Sequence, residues 1–198
     1  MMNEPITSVA LEEVCDITSS KRIYASDYLT AGIPFYRGKE IIEKQKGVTQ
    51  VSTELFISED RYIELEKKFG APTVGELLMT AVGTLGVPYL IKTPERFYFK
   101  DGNLVWFRNF NKLNPSYLYY WLLSPYGKAE LEKAKIGSSQ PAFTIVLLKK
   151  LQIALHSTLT QHKIVSILSA YDDLIENNNR RIQILEEMAQ RIYREWFV

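Results

Sequence analysis

The last part of the chain, residues 158–198, reads TLTQHKIVSILSAYDDLIENNNRRIQILEEMAQRIYREWFV and contains neither glycine nor proline. Apolar side chains recur in it at alternating intervals of four and three residues. A period of about 3.5 residues keeps one apolar seam turned toward a partner helix along its whole length. The pattern predicts one long helix whose seam consists of Ile164, Leu168, Tyr171, Ile175, Asn178, Ile182, Leu185, Ala189, Ile192 and Trp196.

This helix is far longer than a small domain needs to cover its own core, because residues 164–196 would extend about 48 Å. One alternative is nevertheless an amphipathic helix that lies along its own domain. Four further apolar residues widen the stripe and indicate more than one packing neighbour: Ile167, Leu174, Ile184 and Met188.

The other alternative is a coiled coil with a second helix, in either of two orientations. In an antiparallel pair whose positions sum to 360, every seam residue has a partner and the small Ala189 faces the bulky Tyr171. In a parallel in-register pair, Asn178 would face its own copy, an arrangement that specifies register in coiled coils. The period alone leaves the orientation open.

The preceding part of the chain has a different texture, with short β-rich runs and frequent Gly and Pro. The boundary lies in the segment Ala154–Thr158, where a short apolar run gives way to helix-capping residues. The expected fold class is therefore α+β. We predict an irregular α/β domain over residues 1–157, followed by a long C-terminal coiled-coil helix over residues 158–198.

Local signals predict several elements of the first part. Aromatic runs on both sides of Asp101-Gly102 predict a β-hairpin over residues 97–107 with a type I′ turn. Residues 77–80 and 88–91 are predicted to be two strands joined through the glycine-containing loop 83–86.

Proline and its neighbours predict two helices between residues 114 and 137. Asn114-Pro115 is a typical helix start, with Asn as the cap and Pro at the first helical position. That helix is predicted to stop at Pro125, and a second one to continue to about Lys135 and end at Gly137.

Composition excludes several classes of protein. The 198 residues carry 24 Lys and Arg against 23 Asp and Glu, which excludes a polycation that binds nucleic acid through its overall charge alone. Cys15 is the single cysteine, there is no apolar run long enough to span a membrane, and residues 1–5 lack the pattern of a secretory signal. These features predict a soluble protein of the cytoplasm.

No catalytic or metal-binding motif is recognisable. The loop 83–86 is too short for a phosphate-binding glycine loop, and His156 and His162 are not spaced to share one helical face. Cys15 has the character of a small core residue. A small-molecule enzyme would need a polar pocket with shifted acids or bases, and the sequence gives no sign of one.

Basic residues are concentrated in two windows of the otherwise neutral chain. Residues 21–50 contain six basic and three acidic side chains, and residues 128–150 contain five and two. Tyr24 lies in the first window and Ser138-Ser139-Gln140 in the second. Each window is either a solvated surface or a DNA-binding face, since Arg and Lys hold phosphates whereas Gln, Ser and Arg read base edges.

Four segments, in order along the chain, resemble the specificity subunit of type I restriction-modification enzymes. Residues 136–153 are similar to the end of a target-recognition domain in that family, and residues 161–178 look like its conserved spacer helix. The segments 32–41 and 75–86 fit earlier parts of the same domain. The junction Ala154–Thr158 lacks the prolines usual in the family, which predicts a hinge that is looser or differently angled.

The resemblance implies a half subunit. Members of the family typically have two recognition domains and two spacer helices that pair antiparallel, and this chain has one of each. We therefore expect a homodimer that recognises a palindromic, two-part site in double-stranded DNA. The alternative from another class is a coiled-coil interaction or assembly protein without a DNA role.

The resemblance also implies that this chain is not itself an enzyme and needs no cofactor. Methylation and cleavage would belong to separate modification and restriction subunits, which would bind S-adenosylmethionine and ATP with magnesium. Loop position and chemistry together predict these DNA-binding residues: Lys21, Arg22, Tyr24, Arg37, Lys39, Thr84, Ser138, Ser139 and Gln140. Candidate contacts to the partner subunits are the outward charges of the helix: Arg180, Arg181, Glu186, Glu187, Arg191 and Arg194.

Overall fold

The computed structural model describes residues 6–48 and 51–197. The segment 1–5, which was predicted to lack a secretory signal, lies outside the described residues. The helices are α1 Gly38–Gln45, α2 Glu59–Phe69, α3 Pro115–Leu123, α4 Pro125–Lys133, α5 Ile145–Lys149 and α6 Thr158–Phe197. The strands are β1 Thr7–Ala10, β2 Asp16–Thr18, β3 Ile33–Tyr36, β4 Phe56–Ile57, β5 Leu77–Thr80, β6 Pro88–Leu90, β7 Tyr98–Phe99, β8 Leu104–Arg108, β9 Lys135–Ile136, β10 Ala142–Phe143 and β11 Gln152–Leu155. The mixture of helices and sheets confirms the predicted α+β class.

A four-stranded antiparallel sheet of order β2–β8–β5–β6 forms the centre of the fold. Its middle strands are buried on both faces, so they lack the alternation of apolar and polar residues seen in half-exposed sheets. Leu77 and Met79 face the core that α3, α4 and α5 complete. Leu78 and Trp106 face a second core on the opposite side.

A three-stranded sheet of order β4–β3–β7 stands beside the first. Strand β7 runs parallel to β3, with Phe35 opposite Tyr98 and Tyr36 opposite Phe99. Helix α2 covers this sheet, and its buried Tyr62 and Leu65 pack with Phe35 and Tyr98.

The predicted hairpin over residues 97–107 is wrong. Strands β7 and β8 do not pair with each other: β7 pairs with β3, and β8 lies between β2 and β5. The chain does turn at Asp101-Gly102, where Gly102 has a φ of 72°. Asp101 has no positive φ, so the turn is not of type I′, which needs positive φ at both central residues. The segment therefore carries the chain from one sheet to the other.

The predicted strand pair at residues 77–91 is confirmed as β5 and β6, which pair antiparallel with Leu78 opposite Tyr89. Both glycines of the connecting loop, Gly83 and Gly86, have positive φ angles. The buried Thr80 holds this loop closed, because its hydroxyl donates to the carbonyl of Thr84 and accepts from the amide of Val87.

The predicted helix start at Asn114 is confirmed, since its side chain accepts hydrogen bonds from the amides of Ser116 and Tyr117. The predicted interruption at Pro125 is confirmed: α3 ends at Leu123, and Pro125 is the first residue of α4, with Ser124 as its cap. Helix α4 ends at Lys133, two residues earlier than predicted, because Lys135 and Ile136 pair as β9 with β10.

Helix α6 begins at Thr158, within the predicted boundary, after β11 has paired with β1. Ile164 and Val165 pack against the central core. The other nine residues predicted for the seam are exposed. From Leu174 to Phe197 every residue is exposed, so this part of α6 does not lie along its own domain.

Other predictions concern single residues and the chain as a whole. Cys15 is a core residue as predicted, and burial together with the neighbouring Asp16 raises the pKa of its thiol to about 12. His162 is exposed on the first turns of α6. Across residues 6–48 and 51–197, no group of His, Cys, Asp and Glu could hold a metal ion, and no helix has the length and apolarity to cross a membrane.

Candidate nucleic-acid interface

The strand directions bring five loops to one end of the two sheets. The C-terminal ends of β2, β3, β5 and β7 and the N-terminal end of β8 all lie at this end. We call the surface formed by residues 19–24, 36–39, 81–86, 100–103 and 137–142 the loop edge. All nine residues predicted to contact DNA belong to these loops. The side chains of eight of them stay on this surface, whereas the side chain of Lys21 points away from it.

Hydrogen bonds to backbone carbonyls fix the loops to one another. The amide of Ala81 donates to the carbonyl of Asn103 over 2.8 Å, and the amide of Lys100 donates to the carbonyl of Tyr36 over 2.8 Å. The hydroxyl of Ser19 donates to the carbonyl of Leu104 over 3.0 Å. Because these bonds join segments that are far apart in sequence, the loop edge is a single surface on a fixed frame.

The second basic window reaches this surface through a short hairpin of β9 and β10. Ala142 forms a β-bridge with Val82, and the amide of Phe143 donates to the carbonyl of Ala81 over 3.0 Å. The hairpin tip, residues 137–141, is exposed throughout. Ser138, Ser139 and Gln140 therefore lie beside Thr84, which is itself exposed.

Arg37 lies at the start of α1 and is held by a buried carboxylate. Glu40 is completely buried, and it accepts from Nη2 of Arg37 over 2.8 Å and from the amide of Arg37 over 2.8 Å. Burial alone would raise the pKa of the Glu40 carboxyl, but the hydrogen bonds from Arg37 outweigh it and lower the pKa below its ordinary value. The guanidinium has five N–H donors, so donors remain for another partner.

Lys39 is the most exposed cation of α1, with 60% of its side chain accessible and its nitrogen 4.0 Å from Glu43. The start of α1 lies against β5, because a Cβ on Gly38 would be 3.6 Å from Cγ2 of Thr80. Thr80 in turn bonds the carbonyl of Thr84. Arg37, Lys39 and Thr84 are therefore neighbours on the loop edge.

Arg22 and Tyr24 line a groove at the other side of the loop edge, together with Lys100 and Asn103. Nε of Arg22 lies 3.1 Å from a carboxylate oxygen of Asp101, although 69% of the arginine side chain is exposed. Tyr24 is 65% exposed and offers an unpacked aromatic face.

Lys21 is the predicted DNA-binding residue whose side chain the structure turns away. Its amine lies 4.8 Å from the ring centre of Phe69, at the end of α2. The carbonyl of Phe69 accepts from Arg108, which is at the opposite end of β8 from the loop edge.

Two residues of this surface, Lys100 and Asn103, were absent from the predicted set. Both line the groove with Arg22 and Tyr24. The sequence signal was a basic residue directly before a turn. It was hidden because a hairpin was predicted there, in which Lys100 and Asn103 would have been strand residues on either side of the turn.

A mixed helix-and-sheet domain with a cation-bearing loop edge, from which a long exposed amphipathic helix projects, has the features of a binding module. The sequence profile of the type I restriction modification DNA specificity domain matches residues 3–187. The chain therefore belongs to this family.

Individual relatives agree with this assignment. The chain is 29% identical over 187 residues to a putative type I restriction enzyme specificity subunit, S.HindORF215P, of Haemophilus influenzae. It is 27% identical over 194 residues to the type I restriction enzyme MjaVIII specificity subunit of Methanocaldococcus jannaschii. Its fold is similar to a crystal structure of the type I restriction-modification S subunit from M. genitalium, with a TM-score of 0.67 and 17% identity.

The chain spans less than half the length of these proteins. The two alignments cover 93% of this chain but 45% and 43% of the relatives, and the superposition covers 98% of this chain and 46% of the other.

Proposed function

We propose that this chain is a half subunit that recognises DNA for a type I restriction-modification enzyme. Residues 1–157 serve as the target-recognition domain, and residues 158–198 serve as the spacer and dimerisation helix. The loop edge is the DNA-contacting surface. The observation that carries this proposal is the convergence of Arg22, Arg37, Lys39 and the 138–140 tip on one end of the sheets.

The charge of the loop edge suits a DNA backbone although the whole chain is nearly neutral. Arg22, Arg37, Lys39 and Lys100 are at or near the surface, whereas Glu40 is completely buried beneath Arg37. Two acidic side chains face this group: Asp101 pairs with Arg22, and Glu43 lies 4.0 Å from the nitrogen of Lys39. Cations that are concentrated on one surface and held on a rigid backbone can contact phosphates. The polar side chains of the hairpin tip, Ser138–Gln140, can reach base edges.

Helix α6 pairs antiparallel with α6 of a second copy. Support comes from the nine exposed seam residues and from the length of the relatives, of which one copy covers about half. Two copies would restore two recognition domains on a pair of helices. A twofold symmetric dimer reads a palindromic site, here with an unread gap between its halves.

The dimer would direct other subunits rather than carry out chemistry. In this proposal the outward charges of α6 contact modification and restriction subunits, which bind S-adenosylmethionine and ATP with magnesium. The six candidate residues at positions 180–194 are all exposed. In this proposal the chain itself recognises DNA and catalyses no reaction.

Salt dependence tests the DNA-binding part of the proposal. Phosphate contacts release counterions, so an interface with about six contacts loses roughly 10³-fold in affinity between 50 and 200 mM salt. We expect a loss of this order for a random-sequence duplex, measured by fluorescence anisotropy. A chain that dimerises but binds no duplex at 50 mM salt would instead be an interaction module of the coiled-coil type.

The Gln140→Ala variant tests base reading at the hairpin tip. If Gln140 contacts a base, the variant should lose about 1–3 kcal/mol of discrimination at one position of the selected site and keep its non-specific affinity. Selection from a randomised duplex library measures both quantities. Gln152→Ala, which removes an exposed glutamine on β11, is the matched control. Uniform weakening on all sequences would mark Gln140 as a backbone contact.

A further inference from the structure

The first turns of α6 contain a buried amide. Gln161 is 1% exposed, and it is the buried residue of α6 among those the structure describes. Its Nε2 donates to the carbonyls of Lys112 and His156, each over 2.8 Å, and its Oε1 accepts from the amide of Asn114 over 2.7 Å. A fully satisfied buried amide fixes the geometry of the segments that it joins.

The loop that receives Gln161 is shaped for this contact. Lys112 has a φ of 60°, a conformation that non-glycine residues adopt rarely and only where their surroundings hold them. Asn114 both donates its amide to Gln161 and caps α3 with its side chain. The beginnings of α3 and α6 are therefore tied to each other through one side chain.

A second tie lies further along α6. The hydroxyl of Tyr120, on α3, donates to a carboxylate oxygen of Asp172 over 2.8 Å. Burial, and then the hydrogen bond with Asp172, raise the pKa of the Tyr120 hydroxyl, so it is protonated and can donate throughout the physiological range. Gln161 and Asp172 are about 16 Å apart along the helix axis. Two ties at this separation define a direction, which a single tie does not.

We propose that Gln161 and the Tyr120–Asp172 pair are positioning residues that fix the angle of α6 relative to the recognition domain. This inference rests on the proposed function, and it adds that the angle selects the gap length of the DNA site. The junction Ala154–Thr158 has no proline to stiffen it. The ties supply the constraint instead.

The length of α6 makes this angle important. Beyond Asp172 the helix continues for about 36 Å to Trp196. A tilt of about 10° at Asp172 would move the far end by about 6 Å, which is nearly two base pairs of rise along DNA. A small change of angle at these two contacts would therefore hold the two recognition domains at a separation that fits a different gap length.

Spin-label distances test the angle without DNA. Labels at Tyr126→Cys on α4 and Gln190→Cys on α6 would sit on exposed positions, and Cys15 is buried and would stay unlabelled. In the full chain, with labelled copies diluted by unlabelled ones, we expect one narrow distance distribution. A tilt of about 10° displaces Gln190, about 27 Å beyond Asp172, by about 5 Å. Tyr120→Phe and Gln161→Glu should each widen the distribution by about this amount, because each removes donors but retains most of the side-chain volume.

The matched control is Tyr193→Phe, an exposed tyrosine of α6 whose hydroxyl has no hydrogen bond to any described residue. It should leave the distribution unchanged. Thermal unfolding of each variant confirms that it is folded. A folded Tyr120→Phe variant with the parent's narrow distribution would show that the pair only stabilises the domain and would overturn the inference.

Selection from a duplex library with randomised sequence separates this inference from the proposed function. The parent should enrich paired half-sites with one gap length, and Tyr120→Phe should enrich the same half-sites with two or more gap lengths. The same single gap in both proteins would overturn the inference and leave the proposed function standing. A parent that enriches no sequence would overturn the proposed function, and the inference about gap selection with it.

Discussion

Replacing Ile182 with aspartate should convert the α6 dimer into monomers. Ile182 is in the seam and 53% exposed in the single chain, and the antiparallel pairing would bury it. Burying an isoleucine contributes about 2 kcal/mol, and the variant dimer loses this contribution in both subunits. The dissociation constant of the dimer should therefore rise by about 10³-fold. The buried aspartates would add to this loss. Sedimentation equilibrium over a micromolar concentration range measures the change.

Ile184→Asp is the matched control. Ile184 is 48% exposed, close to the value for Ile182, but two residues further along the helix it lies about 200° around the axis and outside the seam. This variant should remain dimeric. Equal dissociation by both variants would contradict a seam with this register, and a wild-type chain that is monomeric at micromolar concentration would remove the homodimer altogether.

The sequence was sufficient to predict α6 because its signal is local and repeats. The start near Thr158 and the absence of Gly and Pro up to the end of the helix both agree with the structure. Its period also identified the seam residues that the domain leaves exposed. Ile164 is the exception, because it packs against the central core. A helix that makes few contacts with its own domain is described by its own period, since no tertiary contact overrides it.

Strand pairing, by contrast, could not be read from local turn chemistry. Asp101-Gly102 marked correctly where the chain turns, but β7 found its partner in β3, which lies more than 60 positions earlier in the chain. A turn signal fixes a change of direction and not the identity of the neighbouring strand. The pairing is decided by the aromatic residues that the two sheets bury between them, such as Phe99 and Trp106.

The loop edge was predictable in its residue types but not as a surface. Windows of basic and polar residues pointed to Arg37, Lys39 and Ser138–Gln140, and only the topology shows that they are neighbours. The window could not indicate that Lys21 turns toward Phe69. Gln161 also gave no signal, because one polar residue in an amphipathic helix is indistinguishable from a solvated one until its partners are known.

Replacing Glu40 with glutamine should lower the free energy of unfolding by about 3 kcal/mol, because it leaves the Arg37 guanidinium and amide without their buried anion. Arg37 keeps 31% of its side chain exposed, so water offsets part of the loss that a fully buried pair would show. Urea unfolding at neutral pH measures the difference. Glu43→Gln is the matched control on the same helix; its pair with the exposed Lys39 spans 4.0 Å and should contribute less than about 0.5 kcal/mol.

The pH dependence of this difference identifies its cause. The pKa of Glu40 is lower in the folded protein than its ordinary value of 4.5, so its stabilising effect is complete above that pH and is lost as the pH falls through the folded pKa. The wild-type protein and Glu40→Gln should therefore converge in stability as the pH is lowered below 4.5. A difference that stays constant with pH would assign the loss to packing rather than to the carboxylate. Convergence would establish that a buried charge holds Arg37 in place on the loop edge, and DNA affinity of the variant at neutral pH should then fall together with its stability.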